Sequence, residues 1–147
     1  MNAYSPMRKM RRFGGNPPQV LSRRERATIM TRLRADGTRL AERFGLTYTV
    51  LEAENSRVKR RYGSCRSDGR IRIRLTHVRT GRALKYSSMI DTLCHELAHL
   101  KHFDHGPRFR TLYENILAWA RAEGIYRPGR VRTQLITPRP VQLGLFS

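Results

Sequence analysis

Residues 94–109, which read C-H-E-L-A-H-L-K-H-F-D-H-G-P-R-F, constrain the fold more than any other part of the chain. Apolar residues at helical spacing lead into this segment, which predicts a helix. Gly106 followed by Pro107 then indicates a bend and a new helix, because glycine turns easily and proline suits the first helical position. His95 and His99 lie four residues apart, so on a helix they project from one face about one turn apart. The segment therefore predicts two helices joined by a tight bend, with a pair of imidazoles on the first.

Two histidines with this spacing can reach one metal ion at about 2.0 to 2.1 Å, the usual distance between zinc and an imidazole nitrogen. Glu96 directly follows His95, and a carboxylate at that position can face a metal-bound water without ligating the ion. The same letters also arise by chance on amphipathic helices whose histidines are only solvated. We interpret His95, Glu96 and His99 as part of a hydrolase site that holds one zinc ion, with Glu96 as the catalytic residue.

A third ligand is expected, because catalytic zinc usually takes three protein ligands and leaves a fourth position for water. His105, just past the end of the first helix, is the predicted third ligand. His102 competes for this role, but a rise of about 1.5 Å per residue puts it about 10 Å along the helix axis from His95. Glu114 is a second alternative, since some hydrolases of this kind take a carboxylate from the following helix.

The length and composition set the class of protein. A chain of 147 residues fits one domain with a substantial core. No window approaches the roughly 18 consecutive apolar residues of a membrane span, and the basic N-terminus lacks the apolar run of a secretory signal. Only two cysteines occur, Cys65 and Cys94, so a disulfide framework is not indicated. We expect a cytoplasmic protein, associated with the nucleoid if it is bacterial, with no membrane partner.

The formal net charge of +19 is unevenly distributed. Residues 1–43 and 44–86 each carry 11 basic and 3 acidic side chains, whereas residues 87–127 carry 5 of each. An arginine-rich genome is the simplest alternative explanation, but such a bias normally adds acidic residues too. The asymmetry predicts an anion-binding surface beside a neutral catalytic segment, and nucleic acid is the expected partner.

The first part of the chain reads as an arm and a helix. Residues 1–20 are basic and contain Gly and Pro without hydrophobic periodicity, which predicts a flexible basic arm. Ser22 followed by Glu25 is a capping-box signature, and apolar residues continue at helical spacing to residue 44. We predict a helix over residues 22–44, with a possible kink at Gly37.

A sheet is predicted next, because the hydrophobic period changes to two from Thr47 onward. A second strand is predicted over residues 57–62, then a hairpin turn at residues 67–69, and an alternating strand over residues 70–75. We expect these strands to form a three-stranded antiparallel sheet.

The alternating strand places isoleucines and leucine on one face and arginines on the other. Like charges in such a row repel unless an anion lies across them, so we predict a nucleic-acid-binding face. Its candidate residues are Arg57, Lys59, Arg60, Arg61, Arg70, Arg72 and Arg74.

Two more helices complete the predicted α+β fold. The first is capped by Ser87 or Ser88 and carries the histidine pair, and the second runs from about Pro107 to Ala122. The expected order is thus an N-terminal helix, a three-stranded sheet, a zinc-bearing helix and one following helix.

The order and spacing of several motifs resemble those of the YgjP-like and SprT-like zinc metallopeptidases. These motifs are K-R-R-Y-G-S-C over residues 59–65, the hairpin, H-E-L-A-H-L, His105 and Phe109. The resemblance covers about residues 20–126, so the metallopeptidase domain is placed at residues 21–126. The chain departs from the pattern in having Tyr62 where tryptophan is usual, and Arg110 where a tryptophan often follows the phenylalanine.

The resemblance implies a minigluzincin-like core with zinc bound by His95, His99 and His105. It also implies that Glu96 acts as general base and acid on a protein or peptide substrate. Among the relatives, the Spartan proteins cleave proteins covalently trapped on DNA, which suggests a role in DNA repair.

The C-terminal residues 127–147 are proline- and arginine-rich and are predicted to be an extended tail. The tail contains Gln142, Leu143, Leu145 and Phe146, which resemble the short Q-L-x-L-F peptide that docks bacterial replication and repair proteins on the sliding clamp. A free chain end is where such peptide ligands work. The alternative is that these apolar residues fold back on the domain.

Two other functions remain open at this stage. The first is a zinc hydrolase of another amide, whose basic surface binds RNA or the ribosome. The second is a non-catalytic nucleic-acid-binding module with structural zinc. Glu96 argues against the second, because a structural site needs no carboxylate there and usually has four protein ligands.

Overall fold

The computed structural model describes residues 20–55, 57–58 and 60–129. The fold is α+β, as predicted from the sequence. The predicted arm up to residue 19 and the tail from residue 130 lie outside the described residues. Six elements follow in chain order: α1 (Arg23–Phe44), β1 (Val50–Ala53), β2 (Gly63–Cys65), β3 (Arg70–Ile73), α2 (Tyr86–His99) and α3 (Pro107–Ala122).

Helix α1 begins at the predicted capping box. The Glu25 backbone N–H donates to the Ser22 side chain at 3.0 Å, and the Ser22 N–H donates to the Glu25 carboxylate at 2.8 Å. The helix continues through Gly37 without a break. A methyl group at Gly37 would lie 3.3 Å from atoms of both Tyr48 and Leu51, so this glycine lets the sheet approach the helix closely.

The sheet is mixed, and the prediction that all three strands are antiparallel was wrong. Strand β3 is central: it pairs antiparallel with β2 and parallel with β1. The β2–β3 hairpin turns at the predicted place, where Gly69 has a φ of 88°. Ala53 at the end of β1 and Gly63 at the start of β2 both lie beside Ile73, so the chain passes from one side of the central strand to the other between them. The described residues of this connection, 54–55, 57–58 and 60–62, are called the crossing segment.

This crossing explains why the predicted strand over residues 57–62 does not form. The crossing segment is held instead by Arg74, whose guanidinium donates to the backbone carbonyls of Thr76, at 2.8 Å, and of Val58. The Arg74 backbone N–H donates to the Tyr62 carbonyl at 2.7 Å. Ladder pairing then begins at Gly63, one residue later than the predicted end of the strand.

Helix α2 lies at the centre of the fold, packed against the sheet, α1 and α3. Its apolar side chains are buried, and so are Cys94 and Ala98, because the helix is covered on several sides. It begins at Tyr86 after Lys85, one to two residues before the serines expected to cap it, and no side chain caps it. Helix α3 has the predicted bounds. No helix within the described residues is long and apolar enough to span a membrane.

Candidate metal centre

Three histidines meet at the bend between α2 and α3. The Nε2 atom of His99 lies 3.2 Å from that of His95 and 3.0 Å from that of His105, and the remaining pair is 3.3 Å apart. Three ligands at about 2.0 to 2.1 Å from a tetrahedral zinc ion would be about 3.3 Å from one another. These three residues, called the histidine group below, therefore have the spacing to hold a metal ion.

The orientation of His99 is set by the bend itself. Its Nδ1 atom lies 2.9 Å from the backbone carbonyl of His102, and a carbonyl can only accept a hydrogen bond. The proton of His99 is thus held on Nδ1, and the Nε2 lone pair faces the other two imidazoles. His102, the competing ligand, contributes its carbonyl and not its ring. Glu114, the other alternative, is exposed on α3, and neither residue belongs to the group that could hold a metal among the described residues.

The surroundings of the histidine group favour neutral imidazoles. Burial lowers the pKa of His95, and the neighbouring His99 and His105 lower it further, while Asp91 opposes them. Burial also lowers the pKa of His99. Neutral imidazole is the form that ligates a metal, so these shifts keep the ligands ready near pH 7.

Phe109, on the first turn of α3, packs against all three imidazoles. Its ring is stacked on His99 with 4.4 Å between centroids, and it lies 4.8 Å from His95 and 5.0 Å from His105. The Phe109 side chain is buried, so it fixes the ring planes and covers one side of the group.

Glu96 is buried beside the histidine group, on the side of strand β2. Only 5% of the residue is exposed. Burial raises the pKa of its carboxyl group to about 7, although the nearby Arg61 acts in the opposite direction. A carboxyl group with a pKa near the working pH can both accept and return a proton.

Gly63 on β2 gives Glu96 its space. A methyl group at Gly63 would lie 2.5 Å from Thr92 Cγ2 and 3.0 Å from Glu96 Oε2. Any side chain there must displace the strand, the Thr92 side chain or the Glu96 carboxylate. The only sequence signal for this contact is weak: Gly63 belongs to the motif that resembles the metallopeptidases.

We predict that Gly63→Ala costs about 1 to 3 kcal/mol of unfolding free energy, because it overpacks the contact between β2 and α2. Peptidase activity should fall by about tenfold or more, since a displacement near 1 Å at a reacting group can cost that much. Ser64→Ala on the same strand is the matched control. Urea unfolding and cleavage assays check both variants. Wild-type stability and activity in Gly63→Ala would show that the close contact is not required.

An open cleft of about 330 Å³ lies next to the histidine group. Its lining residues come from the crossing segment, β2, α2 and α3: Arg61, Tyr62, Gly63, Asp91, Thr92, His95, Glu96 and Tyr113. Both the catalytic candidate Glu96 and the ligand candidate His95 line this cleft.

Asp91 and Tyr113 were missed by the sequence analysis. The Tyr113 hydroxyl donates a hydrogen bond to the Asp91 carboxylate, which ties α3 to α2 across the cleft. The Tyr113 ring lies 5.5 Å from the ring of His95, and burial together with Asp91 raises its pKa. Helical spacing was the available signal, since Asp91 lies four residues before His95 and Tyr113 four residues after Phe109.

The predicted basic face is only partly present. Arg74 is 2% exposed and donates to backbone carbonyls, so its assignment to an exposed nucleic-acid-binding face was wrong. Arg72 pairs with Glu52 at 2.8 Å, and Arg70 is half-buried. The expected repulsion is thus relieved largely by partners within the protein.

The other nucleic-acid candidates lie on the crossing segment. Arg57, Arg60 and Arg61 are exposed there, with Arg61 also 3.6 Å from the Glu54 carboxylate. Lys59 lies outside the described residues, and so do the tail candidates Gln142, Leu143, Leu145 and Phe146.

A helix–bend–helix that gathers three imidazoles beside a buried glutamate is the arrangement of a metallopeptidase site. Residues 16–123 match the family model described as YgjP-like, metallopeptidase domain. The chain belongs to the YgjP-like metallopeptidase family, as the sequence motifs predicted. The family assigns it a peptide-bond hydrolase activity with protein substrates and implies a metal.

Solved structures similar to this one support the fold. A mutant Wss1 from Saccharomyces cerevisiae matches with a TM-score of 0.60 at 19% identity, over 74% of this chain and 90% of that one. Wss1 from S. pombe matches with a TM-score of 0.53 at 25% identity, over 69% of this chain and 82% of that one. No curated protein is significantly similar in sequence.

Proposed function

We propose that this chain is a zinc-dependent metallopeptidase that associates with DNA and cleaves proteins bound or crosslinked to it. The observation that carries the peptidase chemistry is the convergence of three Nε2 atoms at 3.0 to 3.3 Å beside a buried glutamate. Three imidazoles with this spacing suit zinc, and the open cleft leaves room for water and substrate at the fourth position.

His95, His99 and His105 would hold the ion, which supplies a Lewis acid that polarises the peptide carbonyl. The Glu96 carboxylate accepts the proton of the attacking water and returns it to the leaving amine. Burial, which raises the pKa of this carboxyl group, favours its return of the proton. The Tyr113 hydroxyl, which lines the same cleft, is available to a substrate carbonyl when it leaves Asp91.

DNA association is supported by the charge distribution and by the resemblance to the Spartan proteins. Residues 1–86 hold 22 of the 30 basic side chains but only 6 of the 11 acidic ones. The alternative of a non-catalytic module with structural zinc is disfavoured, because the group found among the described residues has three ligands and a neighbouring cleft. The hydrolase of another amide with an RNA- or ribosome-binding surface is the remaining alternative.

The function is tested by the cleavage of a DNA-binding protein substrate with no nucleic acid, with single-stranded DNA and with RNA of equal length. We expect DNA to raise the cleavage rate by about tenfold or more, since bringing enzyme and substrate together on one polymer raises their effective concentration. Addition of EDTA should stop cleavage. An equal rate in all three conditions would contradict the DNA association, and stimulation by RNA alone would support the alternative.

The C-terminal peptide is proposed as a ligand of the sliding clamp. A synthetic peptide of residues 139–147 should bind a bacterial clamp in calorimetry, and the same peptide with Leu145→Ala and Phe146→Ala should not. Equal heats from the two peptides would exclude this partner and leave the fold-back alternative. Cytoplasmic localisation, with nucleoid association in a bacterium, stays a prediction.

A further inference from the structure

A second cavity lies at the opposite end of α2 from the histidine group. It has a volume of about 200 Å³ and is lined by Arg32 of α1, Lys85 and Tyr86 at the start of α2, Ser87, Ile125 and Arg127. Tyr86 precedes His95 by nine residues, so it lies about 14 Å away along the helix axis. None of its lining residues belongs to the catalytic cleft.

Three exposed basic residues from distant parts of the sequence line this cavity. Arg32, Lys85 and Arg127 all line it, and no acidic side chain of the described residues does. Like charges brought together repel, and an anion between them removes that cost. A cavity with this lining therefore fits a ligand with concentrated negative charge.

The arginines are held in place by their neighbours. The Arg32 guanidinium lies 3.7 Å above the Tyr86 ring, and the Tyr86 hydroxyl donates to Asp36 at 2.7 Å, which anchors the ring. Arg127 donates through Nε to the Gly124 carbonyl at 2.9 Å. The contact of Arg32 is with a ring face, and that of Arg127 is through Nε, and both restrict their side chains. Neither contact uses the terminal guanidinium nitrogens, which suit phosphate oxygens.

We propose that this cavity, called the cationic cavity, binds a phosphate group of a nucleic-acid backbone. Its volume of about 200 Å³ is well above the space that one water needs, so a phosphate group can enter it. The site serves the nucleic-acid association proposed above and is separate from the zinc chemistry. Nucleic acid is favoured over other phosphate carriers because the whole chain, at +19, attracts a polyanion.

The test compares two triple variants with the same loss of charge. The first is Arg32→Gln, Lys85→Gln and Arg127→Gln. The control is Arg24→Gln, Arg79→Gln and Lys101→Gln, three exposed residues that do not line the cationic cavity. Binding of a fluorescent single-stranded 15-mer is measured by anisotropy at several salt concentrations, with circular dichroism to verify folding.

We expect the cavity variant to weaken binding by about tenfold and to lower the salt slope by about 0.7, the contribution of one phosphate contact on a single strand. The control should lose less than about threefold, because its three residues do not line the proposed phosphate site and contribute only the general attraction of the chain for a polyanion. Inorganic phosphate should also displace the 15-mer from the wild type. At equal ionic strength, it should do so more strongly than chloride.

Equal losses of 15-mer affinity in the two triple variants would contradict the assignment of the cationic cavity as a phosphate site. Binding of inorganic phosphate there without any effect on the 15-mer would overturn the nucleic-acid assignment. A wild type that does not bind the 15-mer would instead refute the nucleic-acid association itself. If the triple variant does not fold, Lys85→Gln with Arg127→Gln, which leaves Arg32 on the Tyr86 ring, is compared with Arg24→Gln and Arg79→Gln, which remove the same charge.

Discussion

Replacing Glu96 with glutamine is expected to lower peptide cleavage by about 10²- to 10⁴-fold, the usual contribution of a general base. Glutamine has nearly the same size and can occupy the same buried position, but it cannot take a proton from water. Glu96 is not part of the group that could hold a metal, so the variant should keep its zinc. Cleavage rates and metal content measured on the same preparation separate the two effects.

Glu114→Gln is the matched control, because it makes the same change at an exposed position on α3. It should retain both zinc and activity, and a loss of zinc in this variant would revive Glu114 as a ligand. A Glu96→Gln protein as active as the wild type would remove Glu96 from the mechanism.

Replacing His95 with alanine is expected to remove about one zinc ion per chain and to abolish cleavage. Only two imidazoles would remain, and the affinity of the site depends on its full set of ligands. Because a ligand stabilises the folded state that binds it, zinc addition should raise the melting temperature of the wild type and not of the variant. Elemental analysis and thermal unfolding with and without zinc measure both results.

His102→Ala provides the comparison for this variant. The His102 ring lies outside the histidine group, and the backbone carbonyl that accepts the hydrogen bond from His99 remains after the substitution. Zinc content should therefore be unchanged in His102→Ala. Equal zinc in His95→Ala and the wild type would contradict the ligand assignment.

The helices and the histidine group were predictable because their signals are local. The capping box at Ser22, the bend at Gly106 and the four-residue spacing of the histidines each act within a few residues of the chain. The parallel pairing of β1 with β3 was not predictable in this way, because it depends on β1 and β2 lying on opposite sides of the central strand.

The surroundings of Glu96, the proposed catalytic residue, could not be predicted from the sequence. The contact between Gly63 and Glu96 joins a strand to a helix, and the bond between Asp91 and Tyr113 joins two helices. Alternation along β3 correctly placed the isoleucines inside, but it could not show that Arg74 bonds to backbone carbonyls.

The buried Arg74 links the sheet to the rim of the cleft. Its guanidinium bonds to the carbonyls of Val58 and Thr76 at once, and its backbone N–H bonds to Tyr62, which lines the cleft. Lysine, with a single ammonium group on a flexible stem, cannot reproduce a planar fork that reaches two carbonyls. A buried arginine therefore helps to hold the segment that leads into the cleft, and a formal charge counted from the sequence includes buried side chains that bond within the protein.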